Sequence, residues 1–305
     1  YSTFAIEARY GFNKTTLRTF VLDLLKGLGL TAAIGGAVLA SILWFFGKAG
    51  DLAWLYCWGA VSAFQVVLIF LAPYVILPLF NRFEPLEEGD LNAAINRYAG
   101  AQDFRMRGVF KMDGSRRSTK SNAFFTGFGK SKRIVLFDTL IDRHSVAELV
   151  SIVAHEMGHY RLKHIPQAIV RSVLLAGAMF YALSFFVHNP GLFAAFRVEH
   201  VSTYAGLFLF AFLYTPISMA ISVVEGAISR RHEYAADAFA VRTAGNTEAM
   251  VEGLKRLCKD NLANLTPHPF KVLLSYGHPP ILQRIRAIRT VAPPSVDPCA
   301  AASQP

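Results

Sequence analysis

The chain has 305 residues, of which 53% are hydrophobic and 17% are charged. Soluble domains carry about 25% charged residues, so the composition favours a protein embedded in lipid. The net charge is +10, but no recognition motif accompanies it and we expect no nucleic-acid partner. The three cysteines are odd in number and widely separated, which excludes a disulfide framework and a Cys-x-x-Cys metal site.

Four apolar segments of the chain predict helices that span a membrane. A helix needs about 20 apolar residues to cross the hydrocarbon core of a bilayer, and each segment reaches or approaches that length. Pro73 and Pro78 are expected to kink or end the second segment. The segments are Leu28–Phe46, Ala53–Phe80, Val170–Val187 and Tyr204–Val224.

The basic residues divide unevenly between the two sides of these predicted spans. The short connections Gly47–Leu52 and His188–Thr203 hold one basic residue each, Lys48 and Arg197. Nearly all other Lys and Arg residues lie on the opposite side, which the positive-inside rule makes cytoplasmic. We therefore expect an integral membrane protein whose larger polar regions, with any functional site they hold, face the cytoplasm, in a bacterial inner membrane or, in a eukaryote, in the endoplasmic reticulum.

Residues 81–169 have the pattern of a soluble region. Asn122–Phe128 and Arg133–Phe137 are rich in aromatic and β-branched residues and flank the polar segment Gly129–Lys132. Two such runs around a short polar segment that contains glycine predict a β-hairpin.

The strongest chemical signal lies in the predicted helix Ser145–Arg161, which Ser145 can cap because Glu148 stands three residues on. His155 and His159 are four residues apart, so both imidazoles lie on one face and can bind one zinc ion. Glu156 can act as the base that takes a proton from the attacking water. Taken alone, the same residues could be two histidines and an acid on an ordinary helix.

A zinc site of this type needs a third protein ligand. His164 is one residue short of the metzincin spacing and is expected to be a surface or helix-end histidine. Glu233, after the last predicted span, is the better candidate, because it would complete a His2Glu set with the fourth position open. Asp237, one turn further on, can accept the second N–H of a zinc-bound histidine. The alternative is a solvated helix whose acids pair with Arg230 and Arg231.

Six short motifs follow one another along the chain. They are EARYGFNKTT (7–16), SNAFFTGFG (121–129), RIVLFDTL (133–140), HEMGH (155–159), EYAAD (233–237) and YGHPPILQR (276–284). In this order they resemble the type I CAAX prenyl protease family of integral-membrane zinc metallopeptidases. The resemblance implies a mainly α, polytopic membrane fold with a small β-hairpin or sheet and a gluzincin-like site for one zinc ion per chain. The family normally has seven membrane helices, two of which would precede Tyr1, so we expect the first two spans to be missing.

The resemblance also implies roles for three residues outside the metal-ligand set. Asn122 would contact the substrate backbone, because an edge strand can hold an extended peptide by main-chain hydrogen bonds. His278 would stabilise the oxyanion, and Arg284 would bind a substrate carbonyl or carboxylate. Without the family, Asn122 is an ordinary hairpin residue, and Pro279 and Pro280 start a helix with Arg284 on its solvated face.

The implied function is that of a zinc metalloendopeptidase that removes the C-terminal tripeptide from prenylated proteins. The metal ligands would be His155, His159 and Glu233, and the catalytic groups would be Glu156, His278 and Asp237. Its partners would be a protein or peptide substrate, lipidated or membrane-inserted, and the lipid bilayer. Two alternatives stay open: a quality-control metalloprotease of heat-shock type and a non-catalytic membrane scaffold with a structural zinc.

These expectations divide the chain into five parts. They are an N-terminal segment with two spans (1–80), a cytoplasmic catalytic region with the hairpin and the HExxH helix (81–169), two further spans (170–224), the third-ligand helix with the substrate-contact region (225–291), and a disordered tail (292–305).

Overall fold

The computed structural model of the chain describes residues 1–127 and 132–291. All but the last residue of the predicted turn Gly129–Lys132, and the tail 292–305, lie outside the described residues. The strands are β1 (Phe83–Pro85), β2 (Gly108–Met112), β3 (Ala123–Thr126) and β4 (Arg133–Phe137). The α-helices are α1 (Leu17–Leu30), α2 (Gly36–Lys48), α3 (Ala53–Leu71), α4 (Ile76–Phe80), α5 (Asp90–Ala101), α6 (Asp138–Ile141), α7 (Val146–Arg161), α8 (His164–Phe186), α9 (Pro190–Ala195), α10 (Thr203–Ala244), α11 (Thr247–Asp260), α12 (Pro269–Ser275) and α13 (Ile281–Thr290).

Within the described residues, four helical stretches are long and apolar enough to cross a membrane. The second ends at Leu71, two residues before Pro73, because proline has no N–H with which to continue the helical hydrogen bonds. The apolar character of the fourth segment ends at Val224, but the helix continues to Ala244. The stretches are Leu17–Lys48, Gly50–Leu71, His164–Phe186 and Thr203–Ala244.

The chain forms two compact units, and we call the first the helical unit. It comprises Leu17–Phe80 and Ile165–Ser222. Its core includes Phe46 and Phe180, both almost fully buried. Its surface exposes many large apolar side chains, such as Phe208 at 75% exposure. Apolar surface of this kind is unfavourable in water and suits contact with lipid.

The second unit, which we call the sheet unit, comprises Tyr1–Thr16, Asn81–His164 and the chain from Val223 onward. Its four strands are arranged in the order β1-β2-β4-β3. The β3 and β4 strands pair antiparallel, as expected for the two arms of the predicted hairpin. The parallel pairing of β2 with β4 leaves β3 at the edge of the sheet. Asn122 directly precedes this edge strand.

The core of the sheet unit fixes the orientation of α7. The apolar stripe of this helix, which includes Leu149, Val153 and Met157, is almost fully buried. It belongs to one cluster with Leu136 of β4 and Val251 of α11. Burying each such side chain is worth about 1.5–3 kcal/mol, so rotation of α7 about its axis is strongly resisted.

We expect Gly206→Ala to destabilise the helical unit. A Cβ atom at Gly206 would overlap the backbone of Val187, including its carbonyl oxygen. Overpacking of this kind costs about 1–3 kcal/mol, so the thermal unfolding temperature in detergent should fall. Gly36→Ala is the matched control, because nothing lies within 4 Å of a Cβ built there. An equal fall in both variants would contradict the prediction.

Candidate metal centre

The first helix of the site, α7, begins as its sequence predicts. The Ser145 side chain accepts a hydrogen bond from the backbone N–H of Glu148, and the helix runs through His155 and His159 to Arg161. The spacing of the two histidines brings their Nε2 atoms to 3.1 Å from each other. The sequence thus supplies two neighbouring nitrogen donors from a single helix.

The second helix of the site, α10, approaches α7 at Gly158. A Cβ atom at this position would lie 3.1 Å from both the Cα atom and the carbonyl oxygen of Ala236. Ala236 is completely buried, so the two helices meet backbone to backbone at a pair of small residues. This contact places Glu233, one turn earlier on α10, next to the histidines of α7.

The three donor groups have the spacing of ligands around one tetrahedral metal ion. Nε2 of His159 lies 3.3 Å from Oε1 of Glu233, and Nε2 of His155 lies 3.6 Å from Oε2 of Glu233. Zinc binds nitrogen and oxygen at about 2.0–2.2 Å with tetrahedral angles, which separates neighbouring ligand atoms by about 3.3–3.6 Å. The donor set and its spacing therefore fit zinc.

Asp237 lies one turn beyond Glu233 and contacts the other side of His155. Its Oδ1 atom is 2.8 Å from Nδ1 of His155. A carboxylate there accepts the Nδ1–H bond and leaves the Nε2 lone pair for a metal. This is the contact that the sequence analysis expected for Asp237.

Arg284, for which the family resemblance implies a substrate contact, has partners inside the protein. Its guanidinium is buried and donates two hydrogen bonds to Asp237. Nε lies 2.8 Å from Oδ2, and Nη2 lies 2.6 Å from Oδ1. Its Nη1 atom lies 3.3 Å from Oε2 of Glu233. Burial disfavours the charged guanidinium, but the Asp237 carboxylate outweighs burial and raises the pKa of Arg284. Arg284 therefore forms ion pairs with both buried acids of the site.

Glu156 and His278 lie beside the donor set. Burial raises the pKa of Glu156 above its ordinary value, and the neighbouring His155 and His159 oppose this effect. Nδ1 of His278 is 2.9 Å from Oε2 of Glu233, and the His278 side chain is 72% exposed. The Glu233 carboxylate raises the pKa of His278. The site thus contains a carboxylate with a raised pKa, Glu156, and an accessible imidazole with a raised pKa, His278.

Asn122 belongs to the edge of the sheet and not to the metal-ligand cluster. Its carbonyl oxygen accepts the N–H of Phe137, and its side-chain oxygen accepts the N–H of Ala123. The residue is exposed, and it forms none of the hydrogen bonds or ion pairs found around Glu233 among the described residues. The cluster and the edge strand are separate features of the same unit.

His164 lies at a helix end, one of the two positions expected for it, and is not a surface residue. It is the first residue of α8, but it is buried, with 7% of its surface exposed. Its Nδ1 atom lies 2.9 Å from Nδ1 of His159. Its ring stacks on His232, with centroids 3.9 Å apart and planes 3° from parallel. No sequence pattern singled out His232, whose local signal is its position directly before Glu233.

Two family models match the chain. The model of peptidase family M48 matches residues 85–292, and the model described as CAAX prenyl protease N-terminal, five membrane helices, matches residues 1–82. The expectation that the first two spans are missing is therefore wrong, since the N-terminal region of the family is present in the chain.

Curated proteins and a solved structure resemble most of the chain. A CAAX prenyl protease 1 homolog of Arabidopsis thaliana is 36% identical over 94% of the chain and 68% of its own length. A probable CAAX prenyl protease 1 of Schizosaccharomyces pombe is 38% identical over 94% of the chain and 61% of its own length. The crystal structure of S. mikatae Ste24p has a TM-score of 0.88 and 34% identity, and the match covers 94% of the chain and 70% of that structure. The predicted fold class, a mainly α membrane protein with several spans and a small sheet, is thereby confirmed.

We expect Gly158→Val to weaken metal binding while leaving the fold of α7 intact. The new side chain would press on the backbone of Ala236 and push Glu233 away from the histidines. The zinc dissociation constant, measured by competition with a chromophoric chelator, should rise at least tenfold, the size of effect seen when a metal ligand is misoriented. Gly253→Ala is the matched control, because a Cβ there lies at an ordinary 3.5 Å from Glu148. Unchanged zinc affinity in Gly158→Val would rule out the backbone contact as the determinant of the site.

Proposed function

The chain belongs to peptidase family M48 as a membrane zinc metalloprotease of the CAAX prenyl protease type, and from this premise we propose a residue-level mechanism. His155, His159 and Glu233 hold one zinc ion per chain, and Glu156 is the general base. This proposal rests on the spacing of 3.1 to 3.6 Å between three donor groups from two helices. When bound in such a site, zinc lowers the pKa of water and polarises the scissile carbonyl.

Glu156 moves the proton in this mechanism. It removes a proton from the attacking water and later gives it to the nitrogen of the leaving amine. A general base works best when its pKa is close to the working pH, and burial raises the pKa of Glu156 in that direction. Because Glu156 follows His155 in the sequence, its carboxylate lies beside the donor set but is not one of the three proposed ligands.

His278 stabilises negative charge on the carbonyl oxygen. Its imidazole is accessible, and the Glu233 carboxylate favours its protonated form. A protonated imidazole can donate a hydrogen bond to the oxyanion that develops in the transition state. The contact with Glu233 keeps the ring at the donor set while substrate is absent.

Asp237 and Arg284 act on the ligands and not on the substrate. Asp237 accepts the Nδ1–H of His155, which sets the tautomer that exposes Nε2. Arg284 holds Asp237 through two hydrogen bonds and offsets the charge of two buried carboxylates. A buried carboxylate without such a partner is costly, so Arg284 allows both acids to remain ionised in the interior.

The substrate class follows from the membrane setting and the relatives. We propose that the enzyme removes the C-terminal tripeptide from prenylated proteins, and the similarity to proteins named CAAX prenyl protease 1 supports this proposal. The extended peptide would pair with the edge strand β3, and Asn122 would contact its backbone. The excess of basic residues on the side of the sheet unit favours a site that faces the cytoplasm.

Glu156→Gln should abolish turnover without loss of zinc. Removal of a general base slows a reaction by about 10²- to 10⁴-fold, whereas the three ligands are unchanged. Release of peptide from a fluorescent farnesylated CAAX substrate and the metal content of the purified protein measure the two effects. Glu252→Gln, which alters an exposed acid on α11, is the control. Full turnover by Glu156→Gln would show that Glu156 is not the general base, whereas no turnover by the wild type would favour the non-catalytic scaffold with a structural zinc.

The substrate proposal is tested by presenting two substrates side by side. Purified enzyme in lipid nanodiscs receives a farnesylated CAAX peptide and, separately, an unfolded membrane protein. We expect release of a tripeptide from the peptide alone, because the relatives are CAAX proteases and an edge strand suits a short extended chain. Mass spectrometry identifies the products. Cleavage of the unfolded protein alone would instead support a quality-control protease of heat-shock type.

A further inference from the structure

The two histidines of the donor set differ in the partner of their second nitrogen. A histidine that binds metal through Nε2 carries its proton on Nδ1, and that N–H needs an acceptor. For His155 the acceptor is Asp237, at 2.8 Å. For His159 the atom in reach is Nδ1 of His164, at 2.9 Å. An imidazole nitrogen that carries no proton is a good acceptor for this N–H.

The turn between α7 and α8 places His164 next to His159. The α7 helix ends at Arg161 and α8 begins at His164. Lys163, between them, has a φ of 58°, the left-handed conformation that reverses the chain within a few residues. The reversal folds the first side chain of α8 back onto the last turn of α7, so that His164 is buried against His159.

His232 fixes the orientation of the His164 ring. The two rings are 3.9 Å apart and nearly parallel, which restricts rotation of the His164 ring out of its plane. His232 directly precedes the ligand Glu233 on α10. The same segment of α10 thus contributes a ligand on one side and a stacking surface for the outer histidine on the other.

We propose that His164 is a positioning residue of the metal site. It accepts the Nδ1–H of His159, which sets the tautomer and the ring orientation of that ligand, and His232 holds the His164 ring in place. The two ligand histidines would then be oriented by different groups, one by a carboxylate and the other by a neutral imidazole. This inference rests on the proposed function, because it requires His159 to be a ligand.

Two substitutions separate the hydrogen bond of His164 from its packing. His164→Phe keeps a planar ring against His232 and removes the acceptor. His164→Asn removes the ring and keeps an acceptor oxygen close to the position of Nδ1. Zinc affinity is measured on the full chain in detergent by competition with a chromophoric chelator, and the absorption spectrum of the Co²⁺-loaded protein reports the geometry of the ligands.

We expect His164→Phe to raise the zinc dissociation constant by about 10- to 100-fold, the usual effect of losing an outer partner of a metal ligand. Its Co²⁺ spectrum should change as well. His164→Asn should lie nearer to the wild type in both measurements. Thermal unfolding of the metal-free proteins checks that each variant folds, and His164→Leu replaces His164→Phe with the same expectation if the latter cannot be purified.

Two results would overturn the role of His164. The first is a zinc affinity of His164→Phe equal to that of the wild type. The second is an equal loss of zinc affinity in His164→Phe and His164→Asn, which would indicate that His164 acts through packing alone. Wild type and His159→Ala are titrated in parallel. Failure of the wild type to bind zinc, or unchanged affinity in His159→Ala, would instead overturn the proposed metal site itself, so the two failures are distinguishable.

Discussion

The backbone contact between α7 and α10 at Gly158 and Ala236 is the constraint on which the rest of the site depends. A glycine inside a helix costs about 1 kcal/mol relative to alanine. Here it permits a close approach, because a Cβ atom in its place would lie only 3.1 Å from the backbone of Ala236. The approach brings Glu233 within 3.6 Å of both histidine Nε2 atoms. It also sets Asp237, one turn on, against His155. One helix–helix contact thus determines both the donor set and the partner of one donor.

The charges around this contact form a compensated network. Glu233 and Asp237 are both almost fully buried, and two uncompensated carboxylates in the interior would be prohibitively costly. Arg284 contacts both of them, and His278 contacts Glu233 from the exposed side. The ligand Glu233 is therefore held in an ionised, metal-binding form by groups that belong to the protein itself.

The continuity of α10 connects this chemistry with the apolar character of the chain. The helix contains an apolar segment long enough to cross a membrane and, further along, Glu233 and Asp237. Together with the family match and the exposed apolar side chains of the helical unit, this explains why a hydrolytic metal site belongs to so hydrophobic a protein. A membrane-anchored protease is consistent with the proposed substrate, a protein that is itself attached to the membrane.

The features that the sequence determined by itself are local ones. The cap of Ser145, the spacing of His155 and His159, the arms of the hairpin and the apolar spans follow from periodicity and from neighbours a few residues away. Motif order likewise identified the family before any contact was known.

Only the tertiary structure decided which distant side chains meet. Sequence alone did not predict that Arg284 contacts Asp237. It also did not predict that His164, expected at a helix end or at the surface, contacts His159. The length of α10 was also missed, because a loss of hydropathy marks the end of an apolar segment and not the end of a helix. Helical periodicity indicates which face of a helix is apolar, but the partner of a polar side chain depends on packing between segments far apart in the chain.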